Sequence, residues 1–126
     1  MPNNTEATIK QDLICEIQNL EQNFIVIKNF LNGKDYDSIT IGQTLQAFKD
    51  SLSRASAFVL ALYNLKGKRV NIPWEPLFTS LDYALATIAV SSSTKQKVAV
   101  KTILQMSYEQ TEQVLSYFAA LKESLK

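Results

Sequence analysis

The chain is 126 residues long, 46% hydrophobic and 20% charged, with a formal net charge of +1. That length suits one domain around a single core. The apolar content argues against disorder, and the near-zero charge supplies no global field toward nucleic acid or anionic lipid. With no histidine and one cysteine, the chain lacks imidazole acid–base chemistry, histidine-ligated metal, Ser/His or Cys/His nucleophile pairs, and any intramolecular disulfide.

Three glycines and three prolines are too few to punctuate an all-β chain, so composition already leans helical. The first predicted helix spans about residues 5–32. Ile9, Leu13, Ile17, Leu20, Phe24, Ile27 and Leu31 recur at spacings of three and four, forming one continuous face. Asn3 with Glu6, or Thr5 itself, offers a cap, and Gly33 offers a left-handed stop. Ile14, Cys15, Ile25, Val26 and Phe30 widen the apolar surface. From Phe24 to Leu31 the helix is apolar on most sides, which marks a central position or an interface. Cys15 reads as a buried, inert thiol.

After a loop through Gly33-Lys34-Asp35-Tyr36-Asp37-Ser38, the second helix is predicted over 40–66, with Thr40 and Gln43 spaced as a capping box. Ile41, Leu45, Phe48, Leu52, Ala55, Val59 and Leu62 step 4-3-4-3-4-3, the period of coiled-coil-like bundle packing. Lys66 to Pro76 forms the longest connection. Val70-Asn71-Ile72-Pro73 reads as extended, because a residue preceding proline avoids the helical region.

The third helix is predicted over 75–91, with Pro76 in its first turn and Leu77, Leu81, Ala84, Leu85 and Ile88 on its buried face. Ser93 and Gln96 open a fourth helix over 94–125, with Val100, Leu104, Val114, Phe118, Leu121 and Leu125 on one face and Ser107 and Thr111 at its two middle positions. Small hydroxylated residues there either let another helix approach closely or let the helix rotate so that Ile103, Met106 and Tyr108 contribute. Four helices on short loops predict an all-α, single-domain (1–126), antiparallel up-down-up-down four-helix bundle.

Two basic clusters stand out: Lys66, Lys68 and Arg69 after the second helix, and Lys95, Lys97 and Lys101 at the start of the fourth. In an up-down bundle they lie at opposite ends, each too small for strong phosphate binding alone. The first complements a helix C-terminus. The second sits at the wrong end for the helix dipole, which points toward an acidic partner. Trp74, the only tryptophan, is either a plug closing the core or an aromatic anchor for a partner. No catalytic, cofactor-binding or metal site is predicted. The Glu-x-x-His pattern of di-iron bundles cannot be built without histidine, the glycines are isolated, and the carboxylate pair Glu109 and Glu112 reads as a solvated face.

Val70-Asn71-Ile72-Pro73-Trp74, between the second and third helices, resembles the Ile-Pro-Trp lead-in to the motif-bearing helix of some bacterial HEPN domains. These are helical bundles, often dimeric, of toxin–antitoxin and defence systems. The stretch Glu75 to Ile88 carries neither the arginine nor the histidine of their nuclease motif. The resemblance therefore implies a binding or scaffold role without ribonuclease activity.

The expected function is a non-enzymatic protein–protein interaction module: an adaptor, dedicated chaperone, immunity or antitoxin-like subunit, or small effector. The alternative is a nucleic-acid-associated helical subunit of a defence complex. The expected partner is another protein or a second copy, paired through the first and fourth helices. Neither a basic-then-apolar leader nor a membrane-length apolar run is present, so the cytoplasm is the default compartment, or a host cytoplasm for a delivered effector.

Overall fold

The computed structural model describes residues 2–65, 75–90 and 94–125, with side chains over 5–64, 79–86 and 97–125. These residues form five helices and no strand: α1 (Pro2–Leu31), α2 (Ser38–Leu65), α3 (Glu75–Val90), α4 (Thr94–Met106) and α5 (Tyr108–Leu125). The fold is an all-α antiparallel bundle. Packing is densest between α1 and α2. It continues from α2 to α3 and from α3 to α4, and α4 and α5 close the ring against α1.

The stripes explain this arrangement. All seven apolar positions of the α2 stripe, Ile41 to Leu62, are buried, as are Leu13, Ile17, Leu20, Phe24, Ile27 and Phe30 of α1. Leu81 and Ala84 of α3, Val100 and Leu104 of α4, and Val114 and Phe118 of α5 complete the core. Between α1 and α2, Arg54 Nε donates to Glu16 Oε1 at 2.8 Å, and between α2 and α3, Lys49 pairs with Asp82. Against α1, the contacts ascend in α4 and α5 as they descend in α1. Lys97 faces Asp35 just beyond α1, Lys101 lies over Phe30, Tyr108 stacks on Phe24, and Lys122 bonds Glu21. This arm therefore runs antiparallel to α1.

The predicted fourth helix is two helices. The break falls at Ser107, where the sequence placed the first of two hydroxylated residues on a core face. Ser107 Oγ donates to the carbonyls of Ile103 (3.2 Å) and Leu104 (3.3 Å), and Thr111 Oγ1 donates to the Ser107 carbonyl (2.9 Å). Hydroxyls that bond back to the preceding turn compete with the backbone ladder and bend a helix. The ladder still crosses the break, from Ser107 N–H to Ile103 O at 3.3 Å and from Thr111 N–H to Ser107 O at 2.9 Å. No wholesale rotation replaces the hydroxyls. Both stay buried, Met106 is 82% exposed, and Ile103 and Tyr108 pack only at the core's edge.

Three local expectations are corrected. α1 starts at Pro2, so Asn3 and Thr5 lie inside the helix instead of capping it; proline suits a first helical turn. α2 starts at Ser38, not Thr40, because Asp37 caps it: the Thr40 N–H donates to Asp37 Oδ1 at 2.6 Å. Cys15 is exposed, since it projects from α1 opposite the Leu13–Ile17 edge.

The end of α1 follows its sequence. Gly33 has φ +103°, its N–H donates to Phe30 O (3.2 Å), and the Lys34 N–H donates to Asn29 O (2.9 Å), which together make a Schellman stop. A Cβ at Gly33 would meet no atom within 4 Å, so Gly33→Ala tests backbone conformation alone. It should cost about 1 kcal/mol in chemical denaturation, and an unchanged midpoint would contradict the left-handed assignment.

The α2 cap adds a pH dependence. The Asp37 carboxyl is held below its ordinary value, first by the Thr40 backbone N–H and then by the Thr40 side chain, with Lys97 contributing. A carboxylate whose folded pKa lies below its unfolded value stabilises fully above the unfolded value, about 3.9, and loses that contribution as pH falls through the folded one. Wild type should therefore lose thermal stability more steeply below about pH 4 than Asp37→Asn, with parallel curves near neutrality. Curves that stay parallel into acid would remove Asp37 from the cap.

Candidate interaction surface

A trough runs where α1 meets α4 and α5. Two grooves form it, and Lys28 lies in both. The first, about 360 Å³, is lined by Glu21, Phe24, Ile25 and Lys28 of α1 and by Glu112, Leu115, Ser116 and Ala119 of α5. The second, about 300 Å³, lies beside the Ser107 break and is lined by Lys28, Leu31, Asn32, Gln105 and Tyr108. From Glu21 to Asn32 the trough follows α1 for about 17 Å, roughly three helical turns.

Its lining mixes apolar side chains with charges of both signs. Ile25 is 58% exposed, although the apolar stretch of α1 around it is otherwise mostly covered. The Lys28 ammonium lies 5.8 Å from the Phe24 ring centroid. At the far end, Lys122 Nζ donates to Glu21 Oε1 at 2.6 Å, tying α5 to α1. A second tie joins α5 to α2: Tyr117 is hydrogen-bonded to Tyr63, and burial, reinforced by that bond, pushes its hydroxyl above the ordinary tyrosine range. Lys28 and Glu112 stand on the rim with no ion pair among the described residues.

Of the residues singled out from sequence, Trp74, Lys66, Lys68 and Arg69 lie outside the described residues, as does the side chain of Lys95. Lys97 sits at the end holding the α1–α2 loop; its separation from the Lys66, Lys68 and Arg69 cluster lies outside the described residues. The described lysines are engaged within the chain. Lys97 Nζ is 3.7 Å from Asp35 Oδ1, and Lys101 Nζ is 4.9 Å from the Phe30 ring centroid.

Sequence reading flagged the α1 wall of the trough, through the apolar stretch Phe24 to Leu31, and took Glu112 as part of a solvated face, but missed Lys28, Leu115 and Ala119. No stripe shows which helix will flank which. Among the described residues no group of three or more His, Cys, Asp or Glu is placed to hold a metal, and no helix is long and apolar enough to cross a membrane. No known protein family, curated protein or solved structure matches the chain.

Proposed function

We infer that this protein is a protein–protein interaction module that receives an amphipathic helix of another protein in the trough between α1 and the α4–α5 arm. The observation that carries this reading is Ile25, 58% exposed, in the lining of a groove that also holds Glu21, Lys28 and Glu112. An isolated exposed aliphatic residue is ordinary; one lining a three-turn apolar trough with a charged border is what a helix-binding surface offers. The absence of histidine fits a binding role, since the trough's polar groups serve recognition as they stand.

The test compares the wild-type chain with Ile25→Glu. Because Ile25 is exposed, the substitution should leave the far-UV helical signal and melting temperature near wild type, while placing a charge where an apolar partner face must dock. Proteins retained by wild type and lost by Ile25→Glu, identified by mass spectrometry after co-purification from source cells, are the expected outcome. Identical retained sets would sink the trough as the binding surface. The nucleic-acid alternative has less support, because Lys97 and Lys101 already have partners in the chain. A salt-sensitive mobility shift with single-stranded RNA would restore it.

A further inference from the structure

We propose that the second groove of the trough, beside the α4–α5 junction, is a carboxylate-binding site that takes an acidic side chain of the docked helix. This rests on the interaction reading and names the chemistry by which the partner is recognised. The first observation is what lines the groove. Beside Leu31, its lining is the Lys28 ammonium, the Asn32 and Gln105 carboxamides and the Tyr108 ring with its hydroxyl. Among the described residues that lining holds a single formal charge, and it is positive. The carboxylates of the trough, Glu21 and Glu112, line the other groove, and Glu21 is already bonded to Lys122. Each of the four polar groups can donate a hydrogen bond, and the ammonium can only donate. A group that accepts from several of them at once is an anion, and a carboxylate is the anion that an unmodified helix carries in its side chains.

The second observation is that these groups are oriented by rings and left uncommitted by polar contacts. Among the described residues none of the four side chains makes a hydrogen bond or ion pair; Asn32 gives only its backbone N–H, to the Lys28 carbonyl. Tyr108 stacks on Phe24 at 5.7 Å, and Lys28 Nζ lies 5.8 Å from the centroid of the same ring. One buried phenylalanine thus positions both the phenol and the ammonium. Lys101, one turn before Gln105 on α4, adds a second positive charge on this side, its Nζ 4.9 Å from the Phe30 ring centroid. Lys28 also lines the apolar groove with Ile25, Leu115 and Ala119. A helix laid along the trough is therefore read twice: by aliphatic side chains beside Ile25, and by an Asp or Glu about two turns further on, between Lys28 and Gln105.

The experiment uses two capped helical peptides of about 15 residues, with leucines along one face. They are identical except for a glutamate or a glutamine two turns beyond the central leucine. Binding to the full chain is read by fluorescence anisotropy, and the side-chain amide signals of Asn32 and Gln105 by NMR. The glutamate peptide should bind about tenfold more tightly, as expected for charge-assisted hydrogen bonds, and should alone shift those amide signals. The preference should vanish in Lys28→Gln, whose site is exposed, with the far-UV helical signal unchanged. Equal affinity of the two peptides for wild type, or a preference that survives Lys28→Gln, overturns the proposal. Equal binding that Ile25→Glu abolishes removes the carboxylate site and leaves the trough standing. Glutamate-dependent binding that shifts Asn32 and Gln105 and is indifferent to Ile25→Glu supports the carboxylate site and removes the trough. Binding of neither peptide at millimolar concentration overturns both.

Discussion

Phe48→Ala should lower the free energy of unfolding by roughly 3–5 kcal/mol, among the largest effects available to a single substitution here. Phe48 is fully buried at the centre of the α2 stripe, between Leu45 and Leu52. Its ring lies 6.3 Å from that of Phe24, which in turn stacks on Tyr108 at 5.7 Å. Removing it empties the point where α1, α2 and the start of α5 converge. α2 is packed on one side by α1 and on another by α3, so neither wall can close without parting from a third helix. A cavity that cannot collapse gives the upper part of the large-to-small range. For a chain of this size the loss corresponds to a melting temperature lower by about 10–20 °C, checked by thermal circular dichroism alongside urea unfolding. A shift below about 1 kcal/mol would mean that the site can repack and that Phe48 does not lie at a convergence of helices.

The ease with which α2 could be read has a specific cause. Its stripe keeps a strict 3.5-residue period, so one face must be inside, and all seven residues of that face are buried, with Ser51 and Ser56 beside them. The ends of helices were harder, because neighbouring polar residues compete as caps. Asp37 and Thr40 both qualify by type, and only the position of the Thr40 N–H, bonded to the Asp37 carboxylate, decides between them. Cys15 was misplaced through its proximity to core residues in sequence. At 100° per residue, position 15 lies about 200° around the helix from both Leu13 and Ile17, on the far side. Ser107 and Thr111 were visible as anomalies in a core stripe, but periodicity gives only the face a residue occupies. It says nothing of whether a hydroxyl bonds to solvent, to a neighbouring helix or to its own preceding turn, as those of Ser107 and Thr111 do. The trough was half legible for a related reason: amphipathicity specifies that a helix has an inside, whereas the identity of its neighbour follows from topology and loop length.

Phe118→Ala should cost nearly as much as Phe48→Ala at the site itself but should express it differently. Phe118 is fully buried and is the largest of the three side chains that α5 buries, with Thr111 and Val114; its ring also meets Tyr117 edge-on at 5.7 Å. Loss of the ring removes roughly 3–5 kcal/mol of local packing if the helix stays docked. α5 buries three side chains where α2 buries a whole stripe, so its docking should open before the α1–α2 core does. The global loss is then capped by the free energy that docks α5, and the excess appears as local opening. Native-state hydrogen exchange separates the two cases. In Phe118→Ala, amides of residues 108–125 should exchange several hundredfold faster, or more, as expected for a destabilisation of that size, while those at the centre of α2, around Leu45 to Val59, should keep most of their protection. In Phe48→Ala, protection in α2 and α5 should fall together. Uniform loss in both variants would show α5 to be an integral part of one cooperative core.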